Sequence, residues 1–315
     1  MNKKLTVAGL FAGVGGIEKG FQGAGFTPVL SNEIDKSASI TFRANNSHPL
    51  IECDIHDLSH TEFPKELTVL AGGFPCQPFS VAGYRKGFDD DRGNVFWQIH
   101  RIYNKLKPEV VFLENVKNLK SHDEGKTFNV IESALQDSGY YVKTAILNAK
   151  EYSRVPQNRE RIYIVAFRSK KAAELFTFPK KLDKGTPIQD FLDFDSKVDD
   201  RYYYTSKTPF YSQLKKEVKD PTTTYQWRRQ YVRENKSGVS PTLTANMGMG
   251  GHNVPIILSK FGIRKLTPEE CFNLMGFQGF KLPEGLSQSQ LYKQAGNSVV
   301  VPVIKRIAQE IKRVI

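Results

Sequence analysis

The chain has few cysteines and no long apolar run. Its three cysteines, at positions 53, 76 and 271, are too few and too scattered for a disulfide framework or a zinc site. No apolar stretch reaches the roughly 18 residues of a membrane span, and the first residues lack the apolar core of a signal peptide. The six histidines show no metal-ligand spacing. We therefore expect no metal site, no membrane anchor and a reduced, cytoplasmic compartment.

The charged residues are biased towards positive charge. The 315 residues include 45 lysines and arginines against 33 acidic residues, which gives a formal net charge of +12. An excess of this size favours a polyanionic partner such as nucleic acid. The charge alone does not identify that partner, because many basic proteins bind no nucleic acid.

Strand-like and helix-like segments alternate over the first 170 residues or so. Apolar runs at 5–10, 69–72, 110–113 and 162–167 predict strands, with helices such as 94–106 between them. This alternation predicts an α/β fold with a doubly wound, mostly parallel sheet.

The pattern changes after about residue 178, where prolines and glycines interrupt every helical period. We predict a smaller, irregular, β-rich domain over residues 186–289. The first domain would comprise residues 1–185 and would be completed by residues 290–315.

A cysteine stands between two prolines just after the predicted strand 69–72. Pro75 and Pro78 hold Cys76 on a stiff, non-helical corner, because proline fixes its own φ and restricts the residue before it. In open parallel sheets the carboxyl ends of the strands border the ligand crevice. The segment alone is compatible with a nucleophilic thiol and equally with a small apolar residue in a rigid turn.

A glycine-rich loop, Phe11-Ala12-Gly13-Val14-Gly15-Gly16, follows the first predicted strand. Glu18 stands where a dinucleotide fingerprint needs its third glycine, so the loop suits a carboxylate or ribose better than a pyrophosphate. Residues 28–31 predict a further strand, and Glu33 falls at its end about 20 residues after the loop, where an acid can bind ribose hydroxyls. Asp54 and Ile55 are candidates for contacts to an adenine. A plain turn and solvated loop carboxylates are the alternatives.

Charged side chains also mark two other strand ends. Glu114 closes the strand 110–113, where apolar surroundings favour a carboxyl that carries a proton. Arg159 and Arg161 enter the strand 162–167 with i, i+2 spacing, so both side chains should point to one side and suit a carbonyl or phosphate oxygen. A helix-cap acid and an exposed pair of strand-edge charges are the alternatives.

A basic and aromatic run, Tyr225 to Arg233, lies in the smaller domain. Arginine suits bidentate contact with guanine and glutamine suits adenine. Arg228, Arg229 and Arg233 are therefore candidate DNA contacts. The interleaved aromatic residues are equally compatible with a place in the core of this domain, in which case the arginines would lie on its solvent-exposed face.

Taken together, these segments resemble the DNA (cytosine-5) methyltransferases, over nearly all of the catalytic part. The resemblance implies a Rossmann-like methyltransferase fold and duplex DNA as substrate. The matching segments, in family order, are 11–16, 31–33, 54–55, 74–77, 114–116, 157–161, 264–277 and 294–299.

The resemblance assigns catalytic roles to four residues. Cys76 would add as a thiolate to C6 of the target cytosine. Glu114 would supply a proton or hydrogen bond at N3, Arg161 would steady the cytosine O2 and the glutamate, and Arg159 is counted with them. C5 would then take the methyl group of S-adenosylmethionine, and loss of the C5 proton and of Cys76 would restore the base.

The resemblance also implies the residues that bind S-adenosylmethionine. Ile34 stands where family members often have tryptophan, which predicts thinner packing against the adenine. The implied cofactor residues are Phe11, Ala12, Gly13, Gly15, Gly16, Glu33, Ile34, Asp54, Ile55, Pro75, Asn297, Ser298 and Val299.

The target base must leave the helical stack to be methylated by this route. The segment 80–95 is similar to the loop that closes over the base, with Ser80, Lys86 and Arg92 as DNA contacts. Residues 186–289 would be the target-recognition domain, in which Thr242 and Thr244 belong to a Thr-Leu signature. The three arginines favour a short GC-rich palindrome, and the run Tyr225–Pro255 resembles the recognition regions of enzymes that act on sites such as CCNGG or CCWGG.

The compact length is similar to that of bacterial or phage restriction–modification enzymes, or of orphan enzymes without a partner endonuclease. We expect a monomer in the bacterial cytoplasm, with a cognate restriction endonuclease as functional partner. One alternative is a transfer-RNA cytosine-5 methyltransferase of the same fold, although its usual Cys-Phe-Thr element is not evident. Another is a silent DNA-binding relative, which the intact Cys76, Glu114 and Arg161 disfavour. A nucleotide-dependent oxidoreductase is disfavoured by the missing third glycine.

Overall fold

The structure is a computed structural model that describes residues 4–74, 95–228, 230–235, 237–249 and 253–315. The chain divides into two compact units. The first comprises Met1–Leu147, Glu160–Lys180 and Val303–Ile315, and the second comprises Asn148–Arg159 and Lys181–Pro302. The functional division into a catalytic domain, 1–185 with 290–315, and a recognition domain, 186–289, stays a prediction.

The first unit is built on a sheet of seven described strands in the order β3-β2-β1-β4-β5-β7-β6. The strands from β3 to β5 in this order pair in parallel, and β7 pairs antiparallel with β5. The doubly wound, mostly parallel sheet is thus confirmed. The strands are β1 Thr6–Leu10, β2 Thr27–Glu33, β3 Leu50–Glu52, β4 Val69–Gly73, β5 Val110–Val116, β6 Tyr141–Asn148 and β7 Glu160–Phe167.

Helices flank the sheet as expected for parallel strands that are buried on both faces. Asp35 begins α2 by accepting hydrogen bonds from the backbone N–H groups of Ser37 and Ala38. The described α-helices are α1 Gly16–Gly23, α2 Lys36–Asn45, α3 Val95–Leu106, α4 Lys126–Asp137, α5 Ala149–Tyr152, α6 Lys170–Leu175, α7 Tyr211–Glu217, α8 Pro268–Asn273, α9 Gln288–Asn297 and α10 Val301–Val314. No helix among the described residues is long and apolar enough to cross a membrane.

The second unit contains a four-stranded sheet in the order β11-β10-β8-β9. Its strands are β8 Tyr225–Arg228, β9 Tyr231–Glu234, β10 Ile256–Ser259 and β11 Gly262–Lys265, and each described pairing is antiparallel. The predicted β-rich character after residue 178 is confirmed. Thr267 begins α8 with a capping box to Glu270 and with a proline in the first turn.

Candidate active site

The candidate site lies where β1 and β4 end. The strand order reverses between these two neighbours, and ligands of open α/β sheets bind at such a reversal, outside the carboxyl ends. Leu10, the last residue of β1, pairs with Gly72 near the end of β4. The glycine loop after β1 and the segment that leads from β4 towards Cys76 therefore begin side by side.

Glu33 fixes the glycine loop at the end of β2. One carboxylate oxygen accepts a hydrogen bond of 2.6 Å from the Gly13 backbone N–H. The other accepts from the N–H groups of Ile34 and Asp35, each at 2.8 Å. The acid that was predicted for the ribose thus also holds the loop in place. Carboxylate oxygens have several acceptor positions, so these bonds leave room for a hydroxyl group.

The loop backbone takes up left-handed conformations. Gly13 and Gly15 have φ values of 55° and 89°, and Phe11 has φ 53° although it carries a side chain. A non-glycine residue in this region costs of order 1–3 kcal/mol and marks functional sites. The strained conformation is stabilised by a 2.9 Å hydrogen bond from the Ala12 N–H to the Asn32 carbonyl, and by packing of Phe11 on the core.

The side predicted for adenine contains one exposed apolar residue and one ionised acid. Ile34 is 59% exposed, so its side chain is available for a ring to cover. Asp54 accepts hydrogen bonds from the backbone N–H and the ring of His56, which lower the pKa of the Asp54 carboxyl. Ile55 is buried in the core of the first unit, and its contact with the adenine stays a prediction.

These groups fit S-adenosylmethionine. Residues 11–16 and 32–35 include no lysine or arginine, and Glu33, Asp35, Glu52 and Asp54 place four acids at the ends of β2 and β3. Negative charge around a glycine loop suits a ligand with a sulfonium and an ammonium group better than a phosphate. Contacts to the cofactor by the individual residues stay predictions.

Glu114 and Arg161 are brought together at the end of β5. The Arg161 Nε lies 3.1 Å from Glu114 Oε1, and both side chains are largely buried. Glu114 pairs with Gly73 across the sheet, and a Cβ added at Gly73 would lie 3.3 Å from Glu114 Oε2. The carboxylate is therefore directly beside the last residue of β4, three residues before Cys76.

Asn115 is a site residue that sequence reasoning did not single out. It is buried, and its Nδ2 donates a 3.0 Å hydrogen bond to the carbonyl of Phe74. Its Oδ1 accepts from the Val116 N–H. Asn115 therefore anchors the chain two residues before Cys76. The available signal was an amide next to Glu114 at the end of an apolar strand.

Arg159 does not share the environment of Arg161. Strand β7 begins at Glu160, so the i, i+2 argument for a common side does not apply. The buried guanidinium of Arg159 donates hydrogen bonds to three carbonyls of the second unit, those of Leu243 at 2.6 Å, Gly296 at 3.0 Å and Ser298 at 2.6 Å. These bonds show a positioning role, and a direct catalytic role stays a prediction.

The bonds of Arg159 connect the Thr-Leu segment to the carboxy-terminal motif inside the second unit. Gly296 allows the carboxy-terminal motif to approach the Thr-Leu segment closely, because a Cβ at this position would overlap the Thr244 carbonyl. Ser298 and Val299 are buried, whereas Asn297 is exposed. The motif is therefore well packed, and its cofactor contacts stay predictions.

Gln157 is a second residue whose role sequence reasoning missed. Its Nε2 donates to the Leu274 carbonyl at 2.7 Å, and its Oε1 accepts from the Leu243 N–H at 3.1 Å. The Thr242 hydroxyl donates to the Asn158 carbonyl, whereas Thr244 is exposed. Thr244 therefore remains the more accessible of the two predicted DNA contacts.

Several predicted site residues lie outside the described residues, and their roles stay predictions. They are Pro75, Cys76, Ser80, Lys86, Arg92 and Arg229.

The strand order, the glycine loop and the acid at the end of β2 define an α/β enzyme with a nucleotide-type cofactor. A family model described as C-5 cytosine-specific DNA methylase matches residues 5–313. The Type II methyltransferase M.Bsp6I of Bacillus sp. (strain RFL6) is 54% identical over 98% of both chains. M.NlaX of Neisseria lactamica is 38% identical, over 98% of this chain and 96% of its own.

The fold comparison agrees with the sequence comparison. The S. pombe Dnmt2 methyltransferase superposes with a TM-score of 0.74 at 19% identity, over 99% of each chain. The chain belongs to the C-5 cytosine-specific DNA methylase family. It is a DNA (cytosine-5) methyltransferase that uses S-adenosylmethionine, and the prediction of DNA rather than transfer RNA as substrate is confirmed.

Proposed function

We propose that this methyltransferase is the modification enzyme of a Type II restriction–modification system. It methylates C5 of one cytosine in a short duplex site, through an adduct between Cys76 and C6. The two relatives named above are Type II methyltransferases, and this chain matches 98% and 96% of their lengths. This similarity supports the proposed role in restriction–modification. The observation that carries the chemistry is the buried Glu114–Arg161 pair beside Gly73, at the start of the segment that contains Cys76.

In this mechanism Glu114 acts on cytosine N3 while the sulfur of Cys76 adds to C6. Negative charge that develops on the ring is neutralised by the proton or hydrogen bond from Glu114. Arg161 orients the carboxyl of Glu114 and keeps its N–H donors close to the cytosine O2. Asn115 positions the backbone of Phe74, so that the chain entering the Cys76 segment leaves the sheet in a fixed direction.

Residues 11–16, Glu33, Ile34 and Asp54 would hold the cofactor, which supplies an electrophilic methyl group when bound. Glu33 would serve two purposes here, because its carboxylate orders the loop at Gly13 and would accept hydrogen bonds from the ribose hydroxyls. A rigid, strained loop at Phe11 lowers the entropy that binding must remove.

One face of the β8–β9 hairpin is suited to reading DNA. Arg228 lies directly opposite Tyr231, and Gln226 lies opposite Arg233. Directly opposed residues share a face and successive residues alternate, so these four side chains lie on one face. Arg228, Tyr231 and Arg233 are exposed, which presents two cations and one aromatic ring to a polyanion.

The other face of the hairpin belongs to the core of the second unit. Trp227 stacks on Phe210 with ring centroids 4.4 Å apart, and Val232 packs against the same cluster. The Tyr225 hydroxyl accepts from the N–H of Asp220. Tyr225 and Trp227 therefore belong to the core, whereas Arg228, Tyr231 and Arg233 are exposed, and their contacts with DNA stay a proposal.

Replacing Arg228 with alanine should weaken binding to the cognate duplex by about tenfold to a hundredfold, the range for one bidentate base contact. Lys216→Ala is the matched control, since it removes one exposed positive charge from α7 of the same unit. Its effect on the cognate duplex should stay within about threefold. Fluorescence anisotropy with cognate and scrambled duplexes measures both. Equal losses for the two variants would contradict a base-reading role of the hairpin.

The substrate class is tested by presenting the enzyme with labelled S-adenosylmethionine and two acceptors, unmethylated duplex DNA and transfer-RNA transcripts. We expect label in the duplex alone. Label in the transcripts and none in the duplex would overturn the proposal.

The restriction–modification role extends to partners and location. We propose that the protein acts on DNA in a bacterial cytoplasm beside a cognate endonuclease, because the relatives are bacterial Type II enzymes. We also propose that it acts as a monomer, as the resemblance to the family implies. Extracts of the source bacterium should cut an unmethylated plasmid and spare one that this enzyme has methylated. Cutting of both plasmids alike would contradict the partnership.

A further inference from the structure

A buried carboxyl group lies beneath the cofactor loop. Glu18, in the first turn of α1, is completely shielded from solvent. Its Oε1 accepts a 2.7 Å hydrogen bond from the Ser31 hydroxyl, which in turn lies 3.0 Å from Nε2 of the half-buried His48. Its Oε2 has no hydrogen-bond partner among the described residues. The three side chains form a path from a buried acid to the surface.

The backbone of β1 makes room for this carboxyl group. A Cβ at Gly9 would overlap the carboxylate of Glu18, so a larger residue there would displace this carboxylate from its position. Gly9 pairs with Ser31 across β1 and β2. Gly9 precedes Phe11 by two residues, and Ser31 precedes Glu33 by two. The Glu18 carboxyl therefore lies about two residues, or roughly 7 Å along the strands, before the glycine loop and Glu33.

No described cation compensates the charge of Glu18. Burial raises the pKa of Glu18 to about 7, and repulsion by Glu33 acts in the same direction. Strands β1 and β4 contribute no titratable residue. Helix α10 faces α1 with Ile304, and its Lys305 packs against Gly23 at the far end of α1. Burial also lowers the pKa of His48, so His48 is neutral near pH 7.

We propose that Glu18 is a positioning residue that couples S-adenosylmethionine binding to the release of one proton. The positive charge of the bound cofactor favours the carboxylate form of Glu18. The proton passes from Glu18 Oε1 to Ser31 Oγ, the Ser31 hydroxyl proton passes to His48 Nε2, and His48 Nδ1 releases a proton to water. Ser31 then donates its hydrogen bond to the carboxylate.

This coupling distinguishes the cofactor from its product. S-adenosylhomocysteine carries the same amino-acid and adenosine groups but no sulfonium charge, so it gains less from an ionised Glu18. The inference rests on the cofactor that the family uses and is independent of the roles proposed for Cys76 and the β8–β9 hairpin. Its test therefore omits DNA.

Isothermal titration calorimetry at pH 7 in phosphate and in Tris gives the number of protons released on cofactor binding. The wild-type protein should release a proton fraction that Glu18→Gln does not. Between pH 5 and pH 9, affinity for S-adenosylmethionine should rise about tenfold more in the wild type than in Glu18→Gln, which corresponds to a fall of one unit in the pKa of Glu18 on binding. S-adenosylhomocysteine should show a smaller rise.

Ser31→Ala provides a second variant that keeps the acid. Loss of the hydroxyl donor should raise the pKa of Glu18 further and move the proton release to higher pH. Equal proton release and equal pH dependence in wild type and Glu18→Gln would overturn the coupling while leaving the cofactor site intact. An unshifted release profile in Ser31→Ala would overturn it as well.

Discussion

Replacement of Cys76 by serine is expected to abolish methyl transfer, by about three orders of magnitude or more, while duplex binding survives. A serine hydroxyl is far less nucleophilic than a thiolate at neutral pH, so the addition to C6 would become too slow to support methyl transfer. Single-turnover methylation and anisotropy on the same duplex separate the two effects. A duplex with 5-fluorocytosine at the target should form an adduct that resists denaturation with the wild type only.

Cys53→Ser is the matched control for that experiment. The Cys53 thiol is half-buried, and burial together with the acids around it raises the pKa of the thiol. Cys53 is therefore protonated at neutral pH and unsuited to nucleophilic attack. We expect Cys53→Ser to retain the 5-fluorocytosine adduct. An adduct that persists in Cys76→Ser would contradict the assignment of the nucleophile.

Glu114→Gln is expected to slow the single-turnover rate of methyl transfer by roughly 10²-fold. The amide keeps the size of the side chain and can still form a hydrogen bond, but it has no proton to transfer to N3 and no charge for Arg161. Binding of the duplex should change little, because Glu114 is buried at the end of β5. The measurement is rapid-quench methylation at saturating duplex and cofactor.

Glu160→Gln offers a control of identical chemistry nearby. Glu160 begins β7 and forms an ion pair with Lys117 that is partly exposed, and surface pairs of this kind contribute little. Its rate should stay within about twofold of wild type. A Glu114→Gln rate that matches the Glu160→Gln rate would remove Glu114 from the chemistry.

The parallel sheet and the main site segments could be predicted because they leave local patterns. The runs at β1, β4 and β5 are continuously apolar since both faces of these strands are covered. The glycine loop and Glu33 follow their strands at the spacing that a ribose-binding turn requires. Strand β6, at the edge of the sheet, was not predicted, because its half-exposed residues give no continuous apolar run.

The residues that were missed act through backbone atoms far along the chain. Asn115 bonds the Phe74 carbonyl, and Gln157 bonds the Leu274 carbonyl. Every residue has a backbone carbonyl, so the residue type at the accepting position is not restricted. The sequence therefore contains no pair of side chains that would reveal the contact. The division of the run from Tyr225 to Arg233 into a core face and an exposed face likewise depended on a register that the sequence does not display.

We expect this enzyme to methylate C5 of cytosine in one short duplex site. The most direct measurement incubates the purified protein with unmethylated plasmid and S-adenosylmethionine, then maps cytosine methylation by bisulfite sequencing. We predict methylation of a single cytosine within one short motif, at every occurrence. A plasmid without methylated cytosine, or with methylation scattered independently of sequence, would contradict the claim.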